Sequence, residues 1–324
     1  MSGSAPPVAA ERFQRAFRLA CAWDVAVRKP GNVSRHSPGH GMTAQHFLDS
    51  AAVAAAALAE PGEAVGPRIE AAMAATWARV GCNTNLGILL LAAPLAVAAE
   101  RLAERLPDAP LPPADALRAE LAAVLSGLTR EDAAAAFRAI AQANPGGLGR
   151  AEAQDVREPP SVTLREAMAL AAEHDRLARQ YRDGGAELFD VGLAALGPAG
   201  RAAIRASAGG PEQPTAAQTA AVQRVYLAWL ASAPDSHLVR KLGLAVAQGV
   251  LNAAQPWAQR AAAADPAQAV DGDPAFAAWD ETLKTRGWNP GTSADLTVAT
   301  LLLALLSGDD AEGAVSPAGG TERD

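Results

Sequence analysis

The sequence predicts an all-α fold, and three observations carry that prediction. Half of the 324 residues are hydrophobic but only 4% are aromatic, so the apolar content is mostly alanine, leucine and valine, a mixture that favours packed helices over strands. Segments of roughly 12 to 20 residues with apolar side chains at helical spacing recur, separated by short stretches rich in Gly, Pro, Ser or Thr. No run alternates with period two, and no fixed repeat lines up, which argues against sheets and against a solenoid. The expectation is a globular, multi-helix single domain of about a dozen helices. It spans residues 9–307, with residues 1–8 and 308–324 as disordered ends.

Taken in order, the first helix runs from near Ala9 to Arg28 and stops at Lys29-Pro30-Gly31, because a proline disfavours helical geometry in the residue before it. A second starts at Thr43 and carries Phe47, Ala51 and Ala54 on one face. Ile69, Met73, Trp77 and Val80 form an i, i+4 stripe that reads as core, as do Val222, Val225, Tyr226 and Trp229. The most apolar runs, Leu86–Ala99 and Leu296–Leu306, fall short of the roughly 18 apolar residues of a membrane span, and Pro94 interrupts the first. Both read as buried core helices. Thr163 with Glu166, and Thr215 with Gln218, have capping-box spacing and mark two helix starts. Pro107–Pro113, Gly197–Pro214 and the tail after Ser307 are rich in Ala, Gly and Pro and read as loops or ends.

Charge and cysteine content narrow the function classes. With 28 Lys+Arg against 35 Asp+Glu the formal charge is −7, so the overall basic field that nucleic-acid or anionic-membrane binding uses is missing. Two cysteines, Cys21 and Cys82, make no disulfide framework and no zinc-ligand pattern. The N-terminus shows no basic and apolar leader pattern. These features fit a cytoplasmic protein acting on small molecules, with no membrane and no nucleic-acid partner; a homo-oligomer is compatible with them.

Five connecting segments are more polar than turn formation requires. They are Lys29-Pro30-Gly31-Asn32-Val33-Ser34-Arg35-His36, leading to His40 and the helix with Ser50; Gly81-Cys82-Asn83-Thr84-Asn85-Leu86-Gly87; Asn144-Pro145-Gly146-Gly147-Leu148-Gly149, with Asp155 soon after; Asp235-Ser236-His237-Leu238-Val239-Arg240-Lys241; and Asn289-Pro290-Gly291-Thr292-Ser293-Ala294-Asp295. In four of them small residues let backbone amides turn inward near a helix N-terminus, where unpaired N–H groups and the helix dipole attract anionic oxygens. Each alone is equally a capped helix start. Together, with Lys29, Arg35, Arg240 and Lys241 beside them, they read as a phosphate cradle, although no Walker or Rossmann fingerprint is present.

Three carboxylates accompany the loops: Asp24 ahead of Lys29, Asp175 within Glu173-His174-Asp175-Arg176, and Asp295 at the start of the last long helix. Each is a helix cap in one reading and a ligand to Mg²⁺ carried in by phosphates in the other, since Mg²⁺ needs only one or two protein carboxylates. His174-Asp175 also has the look of the metal pair of helical phosphohydrolases, but the upstream histidine of that pattern is missing.

The Lys29-Pro30-Gly31-Asn32-Val33 loop, the Phe47–Ala51 helix, Gly81-x-Asn83-Thr84-x-x-Gly87 and Asn289–Leu296 together resemble the triphosphoribosyl-dephospho-CoA synthase family over nearly the whole chain. The resemblance implies an all-α enzyme that uses ATP as a ribosyl donor. Adenine leaves C1′ and the 2′-hydroxyl of 3′-dephospho-CoA takes its place. Where the citrate-lyase members carry Asn-Thr-His-Lys-Gly, this chain has Asn83-Thr84-Asn85-Leu86-Gly87, so it looks like a divergent branch. A related pentosyl- or phosphoribosyltransferase serving another coenzyme, such as methanopterin or methylofuran, and a non-catalytic nucleotide-binding module are the alternatives.

Displacing a base at C1′ passes through an oxocarbenium-like transition state and needs an anionic group near the reacting centre, a donor to the leaving purine and a clamp on the triphosphate. On this resemblance Lys29, Gly31, Asn32, Arg35, Ser50, Asn83, Thr84, Gly291, Thr292 and Ser293 are expected to hold ATP, and Arg240 or Lys241 the acceptor's phosphate. Asp24 and Asp295 are expected to bind Mg²⁺ or activate the hydroxyl, and His237 or His40 to protonate the leaving base. Ser293 is expected to cap the last helix, and Lys29 to be solvated.

Overall fold

The computed structural model describes residues 8–107, 111–144, 149, 153–206, 213–265 and 268–308. Among them are fourteen α-helices and one π-helical turn: α1 Val8–Ala26, α2 Ala44–Leu58, α3 Val65–Val80, α4 Leu86–Arg105, α5 Ala114–Ser126, α6 Arg130–Ala143, α7 Leu164–Ala171, α8 Arg176–Arg182, the π turn Leu188–Leu193, α9 Ala194–Arg205, α10 Ala216–Ser232, α11 Ser236–Leu242, α12 Leu244–Ala263, α13 Pro274–Thr285 and α14 Gly291–Leu306. The described residues form no strand, only isolated bridges at Gly39–Met42 and Pro113–Gly308.

Two helices are apolar on every side and therefore lie at the centre. In α14 every residue from Leu296 to Leu306 is buried, and in α4 the run Ile88–Ala98 is buried. By composition alone the 20-residue α4 is long and apolar enough to cross a membrane, but α3, α5 and α14 cover it, as a core helix requires. Pro94 sits inside α4 without breaking it. Lacking an N–H, it leaves the Leu90 carbonyl without its helical donor, and the buried Tyr181 hydroxyl donates to that oxygen at 2.5 Å.

Around this pair, α1 to α6 form one core, and α10 to α13 form a second. Helix α10 joins them: Val222, Val225 and Trp229 face the first core, Tyr226, Leu227 and Leu230 the second. Both capping boxes read from the sequence are present, Thr163 accepting from the Glu166 amide and Thr215 from the Gln218 amide.

Several boundaries differ from expectation. Val8 already lies in α1, and Gly308 is anchored by its amide donating to the Pro112 carbonyl at 2.8 Å. The rest of both expected disordered ends lies outside the described residues, as do residues 108–110 and 207–212 of the expected loops. Gly197–Arg205 is helical rather than a loop: Gly197 (φ 60°, ψ 178°) makes a kink at the Gly197-Pro198 pair, and the helix resumes. In the α3 stripe Ile69 and Met73 are buried, but Trp77 is 36% exposed, because α3 turns that end of its face to solvent.

Candidate active site

A cavity of about 780 Å³ opens where the ends of α1, α4, α8, α11 and α14 meet. Asp24, Asn32, His40, Asn83, Thr84, Asp175, His237, Arg240, Lys241, Gly291, Thr292 and Asp295 all line it. Residues more than 200 positions apart in sequence thus share one site. The opposite wall is apolar, built by Phe137 and Ile140 of α6, Met168 of α7 and Leu177 of α8. Of the Gly-rich third loop, Asn144 lines the cavity, while Pro145–Leu148 lie outside the described residues.

The two ends of the chain lock together behind this wall. Gly31 has φ +83°, and a β-carbon there would come within 2.6 Å of the Trp288 carbonyl oxygen and 2.8 Å of Pro290 Cδ, so only glycine lets the two loops touch. Asn32 donates from Nδ2 to Asn289 Oδ1 at 3.0 Å. Beneath them the fully buried Asp280 of α13 accepts from the Gly31 amide at 2.9 Å and pairs with Arg28 and Lys284 at 3.3 and 2.9 Å. Tyr226 donates to the Pro30 carbonyl at 2.7 Å. Sequence reading did not single out Asp280; its only signal there is the i, i+4 spacing to Lys284, which any exposed pair on a helix also has.

This lock corrects the expectation for Lys29. Its side chain is fully buried, with Nζ 3.0 Å from Asp24 Oδ1 and donating to Asn32 Oδ1 at 2.5 Å, over the Tyr226 ring. It stands behind the cavity wall, as do Gly31, Ser50 and Ser293, while Arg35 is exposed on the loop and outside the lining. Ser50 shares a 2.6 Å hydrogen bond with Thr84 and fixes that loop to α2. Asn83 caps α4, its Oδ1 accepting from the Leu86 amide at 3.1 Å, and Asn85 donates into α3, to Thr76 Oγ1, at 3.1 Å.

Ser293 is not the cap of α14. The helix begins at Gly291 after Pro290, and Ser293 donates both its amide and its hydroxyl to Asp235 Oδ2, at 2.7 and 2.8 Å. Asp235 Oδ1 accepts from the His237 and Leu238 amides at 2.9 and 3.1 Å. One buried carboxylate therefore caps α11 and stitches it to the first turn of α14. Asp175 likewise caps α8, accepting from the Leu177 and Ala178 amides, and Arg240 Nη1 pairs with it at 3.2 Å.

Asp295 differs from these. It stands in the second turn of α14, where a carboxylate has no capping role, and it makes no hydrogen bond or ion pair with any described residue. Its carboxylate lies against the first turn of α4, so a β-carbon on Gly87 would overlap it, coming within 2.6 Å of Cγ. Burial first, then Asp24, Asp235 and Asp175, hold its carboxyl well above the usual range, and Arg240 opposes them. Asp24 is also raised, by burial more than Lys29 lowers it.

The histidines are not placed as acids. His40 Nε2 meets the Gly31 carbonyl oxygen at 2.8 Å, so that proton is already committed. His237 is pushed down to about 3 by burial, then Lys241, Arg240 and His40, and is neutral at physiological pH; the expectation of a protonated His237 is corrected accordingly.

No group of three or more His, Cys, Asp or Glu side chains among the described residues is placed to hold a metal ion. The family model of CitG, ATP:dephospho-CoA triphosphoribosyl transferase, matches residues 10–313. The chain belongs to this family. It is thus a transferase of triphosphoribosyl groups, an activity whose donor is ATP, and the non-catalytic reading is not favoured. A solved structure from Archaeoglobus fulgidus, assigned as a triphosphoribosyl-dephospho-CoA synthase, shares the fold: the match covers 81% of this chain and 99% of that one, with a TM-score of 0.56 and 22% identity. No curated protein sequence matches the chain.

Proposed function

We propose that the cavity holds ATP with its C1′ beside Asp295, together with an acceptor resembling 3′-dephospho-CoA whose hydroxyl replaces adenine. The observation that carries this reading is the unpartnered Asp295 carboxylate, facing the first turn of α4 inside a cavity of nucleotide size. Helices α4 and α14 both open their N-termini onto the cavity; Asn83 takes the Leu86 amide and Asp235 the Ser293 amide, so the Gly87 and Thr292 amides, with the Thr292 hydroxyl and the Asn289 side-chain amide, are the donors for triphosphate oxygens. The equivalent ends of α8 and α11 are filled by Asp175 and Asp235 and serve structure instead. Lys241 meets the acceptor's phosphate; Arg240 is held by Asp175.

In the transfer, the C1′–N9 bond breaks with its electron pair leaving on adenine. The acceptor oxygen bonds to C1′, and the hydroxyl proton passes to Asp295 and ends on the released base. A crowded, raised carboxylate is a stronger base than an ordinary aspartate once it is ionised, and its negative charge stabilises the cationic ribosyl centre. A Mg²⁺ carried by the triphosphate fits this site on chemical grounds, since one free carboxylate among three committed ones suits a cation that takes the rest of its ligands from phosphate and water. It would neutralise phosphate charge beside Asp295. At the positions of the His-Lys pair of citrate-lyase members, Asn85 is turned into α3 and Leu86 joins the cavity wall, so the acceptor here meets fewer cations.

Incubating the protein with ATP, Mg²⁺ and dephospho-CoA, or a panel of hydroxyl-bearing coenzyme precursors, should release free adenine. Formation of ADP or AMP in place of adenine would overturn the reading.

A further inference from the structure

We propose that Arg240 locks His237 as a neutral hydrogen-bond donor, with its Nε2–H facing the leaving purine. Arg240 Nη1 is anchored on Asp175 Oδ2 at 3.2 Å, and its Nη2 lies 3.4 Å from His237 Nδ1. A guanidinium has no acceptor and does not lose its proton in proteins, so Nδ1 must be the acceptor in this contact. The ring proton is thereby confined to Nε2. That atom is buried and has no hydrogen-bond partner, and His237 is among the residues that line the cavity. A buried donor without a partner is costly, and a ligand acceptor removes that cost.

The surroundings maintain the neutral state from every side. Arg240 and Lys241 lie on the same helix, and His40 approaches from the loop after α1. The two oxygens of Asp235 are taken up by the amides of His237 and Leu238 and by Ser293, and Asp175 is taken up by Arg240 and the start of α8. Asp24 is paired with Lys29, which leaves Asp295, on α14, as the remaining carboxylate of the cavity wall. Gly291 packs beside the imidazole, a β-carbon there lying in ordinary contact at 3.4 Å from Cγ and Nδ1.

This assignment rests on the transfer reading above, and the chemistry explains why neutrality helps. An imidazolium next to C1′ would repel the developing ribosyl cation. A neutral N–H instead stabilises the negative charge growing on the purine nitrogens without adding positive charge beside the sugar. His237 is then a catalytic residue through Nε2, and Arg240 a positioning residue acting through Nδ1.

The test uses the full chain labelled with ¹⁵N-histidine, without nucleotide, and reads the ring nitrogens by long-range ¹H–¹⁵N correlation, with His237→Gln to assign the signal. The expected spectrum is the Nε2-protonated neutral form, unchanged between pH 5.5 and 8 on the scale set by an ordinary histidine near 6.5. Arg240→Ala should give mixed tautomers, and Arg240→Gln, whose amide still donates, should restore part of the single form. In adenine release, His237→Ala should lower kcat by about 10², and the Arg240→Ala/His237→Ala pair should be no worse than His237→Ala alone. An Nδ1-protonated ring, titration near pH 6.5, or additive losses would overturn the lock. If the native protein released no adenine from ATP, the transfer reading would fail instead, and the spectra would still decide the tautomer.

Discussion

Lys29→Met should unfold the protein more readily rather than merely weaken nucleotide binding. The Lys29 and Asp24 side chains are 0% and 4% exposed, with Nζ and Oδ1 3.0 Å apart. Removing one partner of a buried pair leaves the other charge uncompensated, a loss of about 3–5 kcal/mol. At about 2.1 cal/mol/K of unfolding entropy per residue the whole chain has about 0.7 kcal/mol/K, so the melting temperature should fall by about 4 to 7 °C. The loss should shrink as pH falls, because burial already raises the Asp24 carboxyl and the variant removes the cation that lowers it; protonation then removes the stranded charge. Adding Asp24→Asn to Lys29→Met should recover most of the stability, since two neutral groups need no partner charge. The assay is thermal denaturation of the three variants across pH 5 to 8, beside ATP titration calorimetry. A Lys29→Met protein that melts within about 1 °C of the native one yet binds ATP ten times more weakly would refute the buried-pair argument and return Lys29 to the phosphate clamp.

Three other outcomes follow from the same geometry. Asp295→Asn should cut adenine release by about 10² or more while leaving the melting temperature level or slightly higher, because it removes one of several crowded carboxylates and no hydrogen bond; a clear thermal loss with near-normal turnover would mean a structural role. Gly87→Ala should displace the Asp295 carboxylate, since the added carbon would overlap it and stand 3.0 Å from Leu177 Cδ1, and kcat should drop while far-ultraviolet circular dichroism stays unchanged. Between about pH 6.5 and 3 the unfolded chain protonates His237 while the folded chain does not, so stability should fall with decreasing pH at about 1.4 kcal/mol per unit from this group, and urea titrations of His237→Asn should show a correspondingly flatter slope.

The helical architecture was legible because α4 and α14 carry unbroken apolar sequence and because Thr163 and Thr215 stand three residues ahead of their capping partners. Both signals are local, and local signals survive without knowledge of the fold. The failures were failures of context. Lys29 beside Pro-Gly reads as a solvent-facing helix end, and only the tertiary fold buries it, against Asp24, Asn32 and the Tyr226 ring. Ser293 has the residue type of a cap, but Asp235, reaching over from α11, takes both of its donors, and the helix starts two residues earlier. Gly197-Pro198 reads as a break and is one, yet the chain resumes its helix at once.

The carboxylates show why the site could be located from sequence while its roles could not. A helix cap and a catalytic acid call for the same side chain near the same helix end, so Asp24, Asp175, Asp235 and Asp295 are equivalent until their partners are known. The fold separates them by what each already binds. Asp24 holds Lys29, Asp175 holds Arg240 and the start of α8, and Asp235 holds two helices together. Asp295 is left with its neighbours' repulsion and with the space that Gly87 keeps open against it. Keeping a carboxylate there without a partner destabilises the folded chain, and nothing in α14 requires it, since it lies past the first turn and caps no amide. A group maintained at a cost to folding and without a structural task is best explained by the one thing the cavity lacks, a substrate whose reacting centre becomes cationic beside it.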